Sequence, residues 1–386
     1  MALRAGRTPH VRSGMLCNIG SQRDKHWALG VLMKMRKAFA PPGRRSVGLV
    51  ACLLLLCPAL PFAQTEPSNS CRSCHRQAKT QPATAMAQAL ENVADCAVLI
   101  HNPVLIFADG GYSYRIERRG NQSFYTVTSG TQSVTLPIRF AVGSSAAVGQ
   151  TYILEHEGEL YESRVSYFSE VGGLAITIGH NTSSPATLLE AAGRRLRSEE
   201  KLRCLGCHST GAVRQGELLL DKLTPGVQCS HCHENVALHL DGMLKGDPDA
   251  VTMKRLSTLS AGDISNFCGQ CHRTWEQIAL SGVHDITTLR FQPYRLAGSK
   301  CFDEDDPRIS CIACHDPHKE VDTVAEHYDS RCLSCHTTAK AKPGVCKVGK
   351  TGCTNCHMPK IELPGAHHKF ADHRIRIVKP GEKFPG

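Results

Sequence analysis

Cys311-Ile312-Ala313-Cys314-His315-Asp316-Pro317-His318 is the stretch whose reading decides the architecture. Its two cysteines sit about one helical turn apart, so both thiols can reach the two vinyl groups on one edge of a porphyrin. His315 follows directly and swings under the ring to the iron, which makes Cys-x-x-Cys-His an attachment site for c-type haem. His318 is held on the same face by its short tether. It is either idle or the far-side ligand of a different haem, and the second option would tie two haems together.

Seven such motifs occur in the 386 residues. They are Cys71/Cys74/His75, Cys204/Cys207/His208, Cys229/Cys232/His233, Cys268/Cys271/His272, Cys311/Cys314/His315, Cys332/Cys335/His336 and Cys353/Cys356/His357. Paired Cys-x-x-Cys motifs also build zinc ribbons, but zinc does not require a histidine directly after the second cysteine. All seven pairs have one, so the sequence predicts seven covalently bound haem c groups, with the fourteen cysteines as attachment points and the seven histidines as proximal iron ligands. Cys17, Cys52, Cys57, Cys96, Cys301 and Cys346 remain outside the motifs. In an oxidising compartment Cys301 and Cys346 could pair, leaving Cys96 single.

The totals support this. Aromatic residues make up 5% of the chain, thin for a conventional core, and porphyrins would supply the missing apolar bulk. The formal charge of +10 is concentrated at the start: residues 1–64 hold ten Lys or Arg and one acid. Removing them from the totals leaves 35 basic against 34 acidic residues, and haem carboxylates would tip that balance negative. The basic charge is therefore no sign of nucleic-acid binding.

Residues 1–64 read as a leader and secretory signal. Met33 is a plausible true start; Arg44-Arg45 precede the apolar run Val47–Ala63, with cleavage expected near Ala63 or Gln64. The run is short for a membrane span and is broken by Pro58 and Pro61. Residues 65–102 form a first haem segment, with 76–100 reading as helix. Residues 103–187 change character. Tyr112, Tyr114 and Ile116 alternate with Ser113, Arg115 and Glu117, the period of a half-buried strand. Gly120-Asn121, Ser129-Gly130 and Glu157-Gly158 are turn signals, the last between the arms of a hairpin. This segment predicts an antiparallel β-module of about five to seven strands. Residues 188–386 form a six-haem domain whose motif starts are separated by 25, 39, 43, 21 and 21 residues. Attachment sites this dense place the haems close together, as a conduit requires.

Eleven histidines of the mature chain lie outside the proximal set, enough to give every iron a second imidazole. Two imidazoles make a low-potential haem suited to electron transfer, whereas methionine raises the potential. The expected distal set is His101, His180, His239, His284, His318, His368 and His373, with Met86 a rival to His101 for the first haem. His239 follows His233 by six residues and is better placed to serve a neighbouring haem.

The runs Pro225–His233, Cys311–His318 and Cys353–Lys360 resemble those of exported bacterial multihaem cytochromes of the cytochrome c-554-like class. The resemblance implies periplasmic or extracellular electron transfer with mostly bis-histidine haems. The same broad superfamily includes nitrite reductase and hydroxylamine-oxidising or tetrathionate-reducing enzymes. The Cys-x-x-Cys-Lys mark of the typical nitrite reductase does not occur here. The resulting expectation is a multihaem cytochrome c of α+β class, mainly α-helical and loop-rich with an inserted antiparallel β-module. It would be exported and would relay electrons between redox protein partners or within a membrane electron-transfer complex. The alternative is a reductase or oxidase of a small nitrogen or sulfur oxyanion at one open haem.

Overall fold

The alternation in residues 103–176 becomes a long antiparallel meander. Strands β2 (Val104–Asp109), β3 (Tyr112–Arg119), β4 (Gln122–Ser129), β5 (Gln132–Val142), β6 (Gly149–His156), β7 (Glu159–Phe168) and β8 (Gly173–Ile176) pair in sequence order. Two short strands join from outside the expected module: β1 (Leu90–Asn92) pairs with β5, and β9 (Gly193–Arg195) pairs with β7. The computed structural model describes residues 70–385 except 145–147, 181–183, 248, 250–252, 254 and 338–345. The expected signal segment and the Met33 start lie outside the described residues.

The turns follow the sequence signals. Between β6 and β7, Glu157 (φ 50°) and Gly158 (φ 76°) both adopt the left-handed region that a two-residue hairpin loop favours. Tyr114, Ile116, Tyr125, Val127, Tyr152, Leu154 and Val165 fill the sheet's inner face. Helix α1 (Ala97–His101), through Leu99, and helix α2 (Leu188–Ala192), through Ala191 and Ala192, add to that core. The outer strands β2 and β8 approach each other, so the nine-stranded sheet is close to a barrel.

Two expectations are corrected. The chain is not mainly helical: its largest element is this near-barrel sheet, and the helices elsewhere are short. Nor is 76–100 one helix. It contains 3-10 turns at Arg76–Lys79 and Gln81–Ala83, then β1, then α1. Pro82 lacks the amide a continuous helix needs there, and Leu90 is captured opposite Val142 on β5. The apparent helical spacing of Ala and Leu was overridden by tertiary pairing.

Beyond the sheet the described residues form nine helices of 4 to 12 residues: α3 (Ser198–His208), α4 (Cys229–Cys232), α5 (Val236–Leu244), α6 (Ala261–His272), α7 (Trp275–Ser281), α8 (Gln292–Ala297), α9 (Cys311–Cys314), α10 (Asp329–His336) and α11 (Cys353–His357). Six of them carry the six C-terminal motifs, which gives each cysteine pair its one-turn spacing. Among the described residues two apolar clusters of buried side chains form on the sheet and on the chain leading out of it to Leu223. The described residues of 224–385 fold instead around a cavity. Cys301 and Cys346 are exposed free thiols, and Cys96 is a buried one whose Sγ donates to Gln150 Oε1 at 3.1 Å. Among the described residues no helix is long and apolar enough to cross a membrane.

Candidate haem centre

The cysteines and histidines of all seven motifs line one continuous cavity of about 3650 Å³. A pocket for a single small ligand spans about 300–1,000 Å³, so this space suits several large groups. Among the described residues no three His, Cys, Asp or Glu side chains converge as a bare metal site would need.

Three proximal imidazoles face a second imidazole. The ring centroids of His75 and His239 are 6.1 Å apart, those of His233 and His318 are 6.1 Å apart, and those of His315 and His373 are 6.2 Å apart. A metal–imidazole bond is about 2.0 Å and a ring nitrogen lies roughly 1.15 Å from its ring centre, so two imidazoles on opposite sides of one metal have centres about 6.3 Å apart. The residues therefore fit haem iron at these three positions.

Local sequence explains how each partner arrives. Asn235 adopts the left-handed conformation (φ 60°, ψ 25°) just before α5, and the chain turns so that His239 faces His75 instead of its own motif's His233. Asp316 accepts from the His318 backbone amide at 3.0 Å and lies 3.2 Å from His318 Nδ1, leaving Nε2 for the neighbouring site. His373 directs Nδ1 to the Ala371 carbonyl at 3.1 Å. His208 and His357 direct theirs to the carbonyls of Ala89 and Arg376, each at 2.9 Å. Such contacts occupy Nδ1 and leave Nε2 free to act as a ligand atom.

His373 is positioned by a buried clamp that the sequence reading missed. Asp372, fully buried, receives Arg295 Nε on Oδ1 and Nη2 on Oδ2, both at 2.9 Å, and Arg376 Nη1 on Oδ2 at 2.6 Å. Arg295 also donates to the Pro385 carbonyl and lies under the Phe384 ring, 4.4 Å from its centroid. One clamp thus sets both His373 and the carbonyl that holds His357. Burial raises the Asp372 carboxyl, but hydrogen bonds from Arg295, the Arg374 amide and Arg376 outweigh it and keep it below its usual range.

The electrostatics suit neutral ligands. Burial lowers His208, His233, His272 and His315, and pushes His373 down to about 4 with the nearby His315 adding to the effect. Neutral imidazole is the form that binds a metal.

Neighbouring motifs are tied together. Thiols meet in four pairs: Cys71 with Cys229, Cys207 with Cys271, Cys268 with Cys311, and Cys332 with Cys353. The hydrogen bond from Cys271 pulls the Cys207 thiol down to about 7. Gln81 Nε2 donates to the Val227 carbonyl at 2.7 Å and the Val227 amide to Met86 at 3.0 Å, joining the first motif to the third. The Asp329 carboxylate accepts from the amides of Gly352 and Cys353 at 2.8 and 2.9 Å, joining the sixth to the seventh.

The expected distal residues divide by place. His239, His318, His368 and His373 line the cavity; His101, His180 and His284 do not. His368 Nδ1 sits 2.7 Å from Glu170. His101 is exposed at the end of α1, and His284 is exposed with Nδ1 3.3 Å from the Tyr294 hydroxyl. His180 is buried with Nε2 3.1 Å from Glu162. The imidazole facing His75 is His239, while the rival Met86 also lines the cavity.

The family model described as "Cytochrome c554 and c-prime" matches residues 179–234. That segment carries the second and third motifs. Over this part of its length the chain is similar to multihaem c-type cytochromes. The multiheme cytochrome MtrA of Shewanella baltica is 27% identical over 99 residues, 26% of this chain. The match covers 23% of that relative's length. No solved structure matches.

Proposed function

We propose that the chain is an exported cytochrome that holds seven covalent haem c groups and relays electrons between redox partners, with at least three irons held between two histidines. The observation that carries this reading is the single cavity lined by all seven motifs, with three proximal imidazoles facing a second imidazole at 6.1–6.2 Å. Bound haem would supply the reversible one-electron couple. The chain supplies ligation, spacing and a shared apolar wall.

The contacts between motifs suggest an order. The first site adjoins the third through Cys71 and Cys229, and the third adjoins the fifth through His233 and His318. The fifth adjoins the seventh through the tail that carries His373 and Arg376, and the sixth adjoins the seventh at Asp329. The fourth adjoins the fifth through Cys268 and Cys311, and the second joins at the fourth through Cys207 and Cys271. This is a main line running from the first site through the third, fifth and seventh to the sixth, with a branch from the fifth through the fourth to the second. Export follows from the signal-like segment and from haem attachment outside the cytoplasm. Redox proteins, or a membrane electron-transfer complex, are the partners that such a conduit requires.

The test is the optical and EPR spectrum of the purified, haem-loaded protein in both oxidation states. Wholly low-spin signals with low midpoint potentials support a relay. A high-spin fraction worth one haem that shifts on adding nitrite, hydroxylamine or a sulfur oxyanion would replace the relay with an enzyme.

A further inference from the structure

The torsion that turns a histidine ring is broad and soft, so the plane of a ligand imidazole is set by its neighbours. His208, His357 and His373 meet this need with a contact from Nδ1 to a backbone carbonyl, and His318 with one to Asp316. The His315 ring has no such bond with any described residue. Two rings bear on it instead. His373 faces it with centroids 6.2 Å apart and planes 42° apart, and Tyr328 meets it edge-on with centroids 5.6 Å apart and planes at 68°. All three residues line the cavity.

Tyr328 is itself firmly held. It ends the 3-10 turn Ala325–Tyr328, directly before α10, and is half-buried. Its hydroxyl donates to the Asp322 carbonyl at 2.7 Å, and the Asp322 carboxylate lies 3.2 Å from His327 Nδ1. The His327 ring packs on Tyr328 with centroids 5.1 Å apart and planes at 77°. The next residue, Asp329, is buried and accepts from the Gly352 and Cys353 amides. The phenol ring is thus fixed at its tip, and its backbone is fixed one residue further on. An edge-on pair at 5.6 Å lies in the favoured range for aromatic contacts, and turning the imidazole would break the contact or drive the rings together.

We infer that Tyr328 is a positioning residue of the fifth haem site: it sets the plane of His315 and so keeps the two imidazoles there crossed. This rests on the haem reading above. The angle between two axial imidazole planes governs how unevenly the iron d orbitals split, so it is read directly in the low-spin EPR signal. Near-parallel planes, as in the 12° between His233 and His318, give a rhombic signal, and crossed planes give a more anisotropic one. The midpoint potential follows the same splitting. A group that orients a ligand thereby tunes the site without touching the iron.

The test is low-temperature EPR and spectroelectrochemistry of the full haem-loaded protein and its Tyr328→Leu, Tyr328→Phe and His373→Ala variants. His373→Ala turns the fifth haem high-spin and so identifies its low-spin signal by difference. In Tyr328→Leu that same signal, worth one haem, is expected to leave its wild-type position and broaden, with one midpoint shifted and the others held. Tyr328→Phe keeps the ring and gives up only the hydroxyl bond to Asp322, so it is expected to retain the wild-type signal. Tyr328→Met, bulky but without a plane, takes the place of Tyr328→Leu if that variant loads fewer haems. A wild-type signal in the variant without the ring overturns the inference. So does a shift spread over several haems, which would make Tyr328 a support of the fold at large. A wild-type protein whose Cys311–Cys314 peptide carries no haem by mass would instead overturn the haem reading.

Discussion

Asp372→Ala is the sharpest probe of how the C-terminal tail builds ligand sites. Asp372 and Arg295 have side chains 0% and 1% exposed, and the Asp372 carboxylate accepts from Arg295 twice, from Arg376 Nη1 and from the Arg374 amide. Removing the carboxylate leaves the Arg295 guanidinium buried without its counter-charge, which costs about 3–5 kcal/mol. At about 1.4 kcal/mol per decade, tail docking weakens by roughly two to four orders of magnitude. His373 then leaves the face of His315, and the Arg376 carbonyl leaves His357. EPR of the ferric protein should show a new high-spin signal worth one haem, and hydrogen exchange should show faster amides across 369–385. A double replacement, Arg295→Met with Asp372→Leu, removes both charges and should recover much of the docking. Wild-type spin state and tail protection in Asp372→Ala would refute the clamp as the positioner of His373.

His318→Met should raise the potential of one haem by a sizeable part of the ~0.8 V range that axial ligands command, seen by redox titration; an unchanged titration would remove His318 from the site facing His233. His239→Ala should turn one haem high-spin without altering haem number, as measured by EPR and intact mass. Gly226 has φ 71°, and a Cβ there would run into the Ala87 carbonyl, so Gly226→Ala should lower stability by about 1–3 kcal/mol in denaturant unfolding while loosening the junction of the first and third motifs. Glu200 caps α3 and hydrogen bonds from Arg197 hold its carboxyl down to about 2, against an ordinary value of 4.5. Its contribution is therefore fully present above pH 4.5 and is lost as pH falls towards about 2, so exchange of the first-turn amides of α3 should accelerate over that interval.

The motifs that the haem proposal rests on were legible because their pattern is local: Cys-x-x-Cys-His declares itself within five residues. The β-hairpins were legible for the same reason, since Tyr114 and Ile116 alternate with charged neighbours and Glu157-Gly158 marks the reversal. His239, His318 and His373 could be singled out as surplus imidazoles beside motifs. Which motif each one faces could not be read, because His75 and His239 are brought together only by the left-handed turn at Asn235. β1 and β9 are three residues each and exist only because β5 and β7 offer edges. The helix expected over 76–100 failed where Pro82 and that edge compete with it. The Arg295–Asp372 clamp joins positions 77 residues apart and leaves no local pattern, although an aspartate directly before a tail histidine was the one available hint.

The most direct measurement is the intact mass of the mature protein exported from a host with haem-attachment machinery, followed by alkylation of its free thiols. The expected result is a polypeptide carrying seven haems, with the fourteen motif cysteines protected. A smaller whole number of haems, or motif cysteines that bind zinc and alkylate once it is removed, would contradict it.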